Sequence, residues 1–216
     1  VVYKIPIDVL YEDEHMLAVN KPAGLVSVPA PNIPEYRTLQ GQLREWAARE
    51  GKEYKPYLLN RLDRDTSGIL LIGKFPRDRE QLEAIFQDPR TEKTYLALVK
   101  WVPKQLEGTI RIPLGARSSE RKVPAVTHYK TFKKMAHAAL LEVRIETGRK
   151  HQIRQHLAMI GNPLILDRDY GDRTFNNNWQ RAKKGKGEFF LHSWKTKFFH
   201  PFLKQEIEII APPREI

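Results

Sequence analysis

The stretch that most constrains this chain runs Leu59-Asn60-Arg61-Leu62-Asp63-Arg64-Asp65-Thr66-Ser67-Gly68 and leads into Ile69-Leu70-Leu71-Ile72. The apolar run is short, rich in strand formers and reads as a strand entering the core. Thr66, Ser67 and Gly68 can turn sharply and hydrogen-bond their own backbone. Arg61, Asp63, Arg64 and Asp65 therefore sit on a loop anchored by that strand. A carboxylate fixed beside guanidiniums can stay ionised and be aimed at a substrate. The competing reading is a surface turn with local ion pairs, which does no chemistry.

The length, 216 residues, suits one domain, 1–216, with a full apolar core. A formal net charge of +11 points to a polyanion partner, and RNA, DNA and an anionic membrane surface all qualify. No apolar run is long enough to span a bilayer, and the start shows no signal-peptide pattern. The chain begins at Val1, which leaves room for an upstream segment such as a small RNA-binding domain. With no cysteine, disulfides, thiolate zinc sites and cysteine nucleophiles are excluded. A reducing, cytoplasmic setting is expected.

Along the chain, 7–11 and 16–19 read as a hairpin around Glu12-Asp13-Glu14. In 20–29, Pro22 and Gly24 impose a bend with Lys21 at its base. On physics alone that is an ordinary loop with one lysine. The prolines of 30–37 exclude regular structure. Thr38 can cap a helix that runs to about Glu50 and ends at Gly51, with Leu39, Leu43, Trp46 and Ala47 on one face. A second helix is expected over 77–87, with Leu82, Ile85 and Phe86 as its core stripe.

Tyr95 opens a strand over 95–99, where a buried core tyrosine is the plain reading. Strands are also expected over 108–113, 125–132 and 138–145, with an exposed basic loop at 117–122. A helix follows Gly148 and stops before Gly161-Asn162-Pro163, with Ile153, Leu157 and Ile160 facing the core. His151 and His156 do not share the i, i+4 face of a helical zinc pair, so no metal is expected. Arg149, Lys150 and Arg154 lie near the helix start, where the dipole disfavours cations; their placement suggests a partner carboxylate or phosphate. The basic, glycine-broken loop 181–187 is either solvated or a phosphate contact. Strands over 189–194 and 207–210 close the sheet.

The opening decapeptide resembles the signature of the RluA-type pseudouridine synthases, His-Arg-Leu-Asp-x-(Asp/Ala)-Thr-Ser-Gly, with Asn60 in the place of the usual His. Further family motifs occur in order. Asn20-Lys21-Pro22-Ala23-Gly24 with its Ser27-Val28-Pro29 close is similar to the N-terminal motif, and Lys93-Thr94-Tyr95 to the one carrying the active-site tyrosine. Gly148-Arg149-Lys150-His151-Gln152-Ile153-Arg154-Gln155-His156 keeps the long third motif in full. The run 162–171 follows the next motif, except that Leu166 replaces a common Gly before Asp167. Leu191-His192-Ser193-Trp194 and His200-Pro201 resemble the C-terminal pattern.

The resemblance implies an α+β pseudouridine synthase fold. Its sheet is twisted, mixed and mostly antiparallel, flanked by helices and loops, with a central cleft. It implies isomerisation of uridines in structured ribosomal or transfer RNA, probed as a base flipped out of its stack. It assigns Asp63 as the catalytic aspartate and Arg154 as the arginine that pairs with it. Tyr95 would stack on the base and help with the proton at C5. Arg61 would fill the space left behind, while Lys21, Arg149 and Lys150 would contact the RNA backbone. Attack on the sugar, attack on the base and removal of a sugar proton all remain open for Asp63. The reaction requires no redox cofactor or metal, and the sequence has no dinucleotide or P-loop motif. No membrane or obligate protein partner is implied, and a monomer is expected. Asn60 keeps a hydrogen-bonding side chain but loses titration and ring stacking. Retained activity is expected; the alternative is a non-catalytic RNA-binding or RNA-folding module on the same fold.

Overall fold

The computed structural model describes residues 6–115 and 121–214. In chain order the elements are β1 (Val9–Glu12), β2 (Met16–Lys21), α1 (Leu39–Arg49), β3 (Tyr57–Leu58), β4 (Ser67–Gly73), α2 (Arg79–Ala84) and β5 (Glu92–Lys100). They continue with β6 (Glu107–Ile110), β7 (Leu114–Gly115), β8 (Lys122–Val123), β9 (Thr127–Met135) and β10 (Ala138–Ile145). The last are α3 (Gln152–Met159), α4 (Arg173–Ala182), β11 (Leu191–Phe199) and β12 (Glu206–Ile210). The fold is α+β. Contacts gather the described chain into two compact units, one of residues 6–92 and 193–214, the other of residues 93–192.

In the first unit β2 pairs antiparallel with β1 and with β4, in a register that sets Met16 opposite Gly73 and Lys21 opposite Gly68. Every residue of β4 is buried. That is why its sequence reads as a continuous apolar run and not as an alternation. Ile69 and Leu71 pack with Met16, Ala18, Phe198 and Ile209, and with Leu82 and Ile85 from the segment around α2. The expected 77–87 helix is shorter: α2 is flanked by 3-10 turns, Pro76–Asp78 and Ile85–Gln87. Pro76 sets the tight entry and Pro89 bars continuation. α1 matches expectation. Thr38 Oγ1 accepts the Gly41 N–H, and Leu39, Leu43 and Ala47 are buried. Residues 30–37 do contain one short 3-10 turn, Glu35–Arg37.

In the second unit the strand order is β5-β10-β9-β6, with all pairings antiparallel. β10 spans the expected residues. Of the basic loop expected at 117–122, residues 117–120 lie outside the described residues, and Lys122 pairs with Gly115 in the small β7-β8 ladder. α4 has no counterpart in the sequence reading. None of its residues is buried, so it lacks the apolar core stripe that marks a helix. Its signal was the cap, Asp172 accepting the Phe175 N–H at 2.8 Å. No helix of the described residues is long and apolar enough to cross a membrane.

Candidate active site

The Asp63 loop is held from several directions within the first unit. β3 pairs with β4, and its ladder runs on through the Leu59 N–H to the Leu71 carbonyl. The next bond comes from a side chain: Asn60 Oδ1 accepts the Leu71 N–H at 2.9 Å. Asn60 thus ends the pairing and turns the chain away from the sheet. Ser27 Oγ donates to the Leu62 carbonyl at 2.8 Å, and the Gly24 N–H donates to the Arg64 carbonyl at 2.9 Å. The Thr66 N–H closes the turn on the Asp63 carbonyl. At the far end Gly68 has φ +105°, and a Cβ there would lie 2.2 Å from the Ser193 carbonyl oxygen. Only glycine fits this approach. Asp63 is half-buried, Leu62 is buried and Arg61 is exposed.

Lys21 corrects the expectation that it contacts RNA. Its side chain is 0% exposed, and Nζ donates to the carbonyls of Pro22, Leu25 and Arg64 at 2.8–3.0 Å. Burial pulls its pKa down to about 8, against the opposing pull of Asp65 and Asp63. At neutral pH it therefore remains an ammonium, with a proton for each carbonyl. Lys21 ties the 21–25 bend to the backbone beside Asp63; no phosphate can reach it.

The second unit carries Tyr95, Arg149, Lys150 and Arg154. Tyr95 is buried in β5 opposite Val143. Lys93 lies two residues earlier on the same strand face, and burial lowers its pKa. Arg149 and Lys150 are exposed, and Arg149 Nε donates to the Pro124 carbonyl. His151 takes a left-handed conformation, φ 53°, which starts α3 abruptly.

Gln152 and His156 share one face of α3 and lock it to β9. Gln152 Nε2 donates to the Val126 carbonyl and to Thr127 Oγ1, while its Oε1 accepts from Thr147 Oγ1 and the Arg149 N–H. His156 Nε2 lies 2.8 Å from the Ile112 carbonyl, which can only accept, so Nε2 carries the proton. Nδ1 then accepts from Thr127 Oγ1 at 2.9 Å. Ile153 and Leu157 are buried as expected, and Ile160 is half-buried.

With the helix so fixed, Arg154 is aimed at a carboxylate. Nε and Nη2 donate to the two oxygens of Asp167, each at 2.6 Å, and Nη2 also reaches Asp169 at 2.7 Å. Tyr170 and Phe189 flank the guanidinium, 5.1 and 5.8 Å from centroid to Cζ. Burial alone would raise the Asp167 pKa. The Arg154 hydrogen bonds and the N–H groups of Tyr170 and Asp169 outweigh it and hold it low. The same pairs outweigh burial at Arg154 and raise its pKa. Sequence reasoning gave Asp167 no role. Its neighbour Leu166, in the usual place of a Gly, has φ +62° and donates its N–H to Asn176 Oδ1.

Comparison with known proteins gives this arrangement its context. Residues 15–159 match the RNA pseudouridylate synthase family. An uncharacterized RNA pseudouridine synthase of Synechocystis is 32% identical across 98% of this chain and 67% of its own length. Ribosomal large subunit pseudouridine synthase D of Zymomonas mobilis is 32% identical across 96% of this chain and 69% of its own. Human RNA pseudouridylate synthase domain containing 4 superposes with a TM-score of 0.78 at 23% identity, over 96% of this chain and 89% of that one. That likeness shows the fold, an α+β pseudouridylate synthase fold. The sequence matches go further: the chain belongs to the RNA pseudouridylate synthase family, isomerases that act on RNA.

Proposed function

We propose that the chain isomerises particular uridines of structured RNA, with Asp63 as the catalytic aspartate. The observation that carries this is the anchorage of the Asp63 loop by Asn60, Ser27, Lys21 and Gly68, each at a family-motif position, Asn60 in place of the usual His. A loop built only to turn does not need its backbone tied at so many points. The reaction breaks the N1–C1′ bond of uridine, turns the base and forms C5–C1′. The C5 hydrogen leaves to water and N1 gains a proton, so no oxidant or reductant enters.

In this reading the target nucleotide leaves its stack, at a cost of a few kcal/mol. Arg61, exposed beside Asp63, fills the gap. Tyr95 stacks on the base and assists proton loss from C5. Arg154, its guanidinium oriented by Asp167 and Asp169, is in this reading the arginine assigned to the catalytic aspartate. Arg149 and Lys150 contact phosphates, so binding weakens as salt rises. In this reading residues 1–216 are one catalytic domain. Relatives named for the ribosomal large subunit support ribosomal RNA over transfer RNA as the substrate.

The test uses RNA tritiated at C5 of uridine, with tritium counted in water. Release that vanishes in Asp63→Ala supports the reading. RNA binding without release by the unaltered protein overturns it.

A further inference from the structure

The second unit has an outward ridge that the active-site reading does not use. It is built from α4, the loop after it and the corner at Trp101. Trp101 is 45% exposed, and its ring meets Phe175 edge-on at 5.6 Å. Phe175 stacks with Trp179, one helical turn on, at 5.8 Å and 23°. Both are half-buried, and no residue of α4 is fully buried. Lys100 sits over both Trp101 and Phe175 while pairing with Asp172 at 2.6 Å. Lys183 sits over Trp179. The 183–187 loop is folded back on the helix: Gln180 Nε2 donates to the Gly187 carbonyl, and a Cβ on Gly187 would lie 3.0 Å from the Trp179 ring. This holds exposed Lys183, Lys184 and Lys186 beside the rings, with Arg173 and Arg181 also exposed on α4.

These rings pack on one another and on Gly187, outside the core, and keep part of their surface open. A cluster of aromatic rings with cations over and beside them suits a chain of bases joined by phosphates. Every base offers a π-face, and the lysines meet the backbone. An acidic protein surface would answer the lysines but leave the rings without matching groups. We propose that this ridge binds an unpaired RNA strand, stacking its bases on Trp101 and Trp179, with Phe175 bracing the two rings from between. Within the proposed function, on which this partner choice rests, that strand flanks the modified uridine.

The test uses the full chain and a fluorescein-labelled, unstructured RNA 12-mer, with polyglutamate as competitor. Two variants are compared with the unaltered protein: Trp101→Ala/Trp179→Ala, and Trp101→Phe/Trp179→Phe, which keeps the rings. The Ala pair is expected to weaken binding about tenfold or more and to raise KM for tritium release from C5-tritiated RNA, with kcat unchanged. The Phe pair restores most of both, and an unchanged kcat in the Ala pair separates lost stacking from a folding defect. Equal 12-mer affinity for all three proteins overturns the proposal, as does displacement by polyglutamate at matched charge. An unaltered protein that binds the 12-mer through these rings but releases no tritium sinks the catalytic reading and leaves the ridge standing.

Discussion

Arg154 grips Asp167 through a two-pronged pair of hydrogen bonds, both 2.6 Å, and the Asp167 side chain is 0% exposed. A buried pair that loses one partner leaves the other charge without compensation, at a cost of about 3–5 kcal/mol. Asp167→Asn is therefore expected to destabilise the protein by about 3 kcal/mol, since Asp169 still partners Arg154. Asp169 is 60% exposed, so Asp169→Asn is expected to cost under about 1 kcal/mol. Urea unfolding midpoints measure both. Equal losses would show that the two carboxylates share the load.

Asn60 performs a backbone's task. Its oxygen replaces the next carbonyl of the ladder against Leu71, in a strand buried along its length. Asn60→Ala leaves that N–H without an acceptor and is expected to cost about 1–3 kcal/mol. It should also slow tritium release, because the loop carrying Asp63 loses its anchor. Asn60→His offers a ring nitrogen in a similar place and is expected to lose less of both. A stable, fully active Asn60→Ala protein would refute this role.

Leu166 holds a left-handed conformation that costs an L-residue about 1–2 kcal/mol. Leu166→Gly removes that strain but also a half-buried side chain and adds unfolded-chain entropy. These terms nearly cancel, so its melting temperature is expected to shift by only a few degrees. Leu166→Val keeps the apolar character but is β-branched, the worst class for φ > 0, and is expected to melt clearly lower. Thermal scans of both variants check the order.

Much of this was legible in advance because local chemistry and tertiary role agreed. Thr38 capped its helix, the 69–72 run was a buried strand, and 138–145 was a strand because apolar patterning reports burial directly. Lys21 was misread for a physical reason. A lysine in a loop is normally solvated, and only the fold reveals three carbonyls converging on its ammonium. Arg154 was assigned, by resemblance, to Asp63, and nothing in the sequence pointed to Asp167, since a contact between a helix and a later turn leaves no periodic trace. α4 escaped because its aromatic residues are only half-buried and none of its residues enters the core, so core-based patterning has nothing to report.

Two buried histidines make stability depend on pH. His200 Nδ1 accepts the N–H groups of Phe202 and Leu203, while Nε2 lies 2.9 Å from Asp13 Oδ2. Protonating Nδ1 would set a donor against two donors. Burial lowers the pKa of His200, Asp13 opposes this, and nearby His15 lowers it further. Burial also lowers that of His156, whose Nδ1 accepts from Thr127. Each folded pKa thus lies below the unfolded value of about 6.5, so the unfolded chain binds more protons in the interval. Stability contributed by the neutral rings is complete above about pH 6.5 and is lost as pH falls through that value toward the folded ones. Urea midpoints are expected to be level from about pH 7 to 8 and to decline from about pH 6.5 to 5. His156→Gln/His200→Gln should flatten that decline, even though the variant is less stable throughout. An unchanged slope would place the proton uptake on other groups.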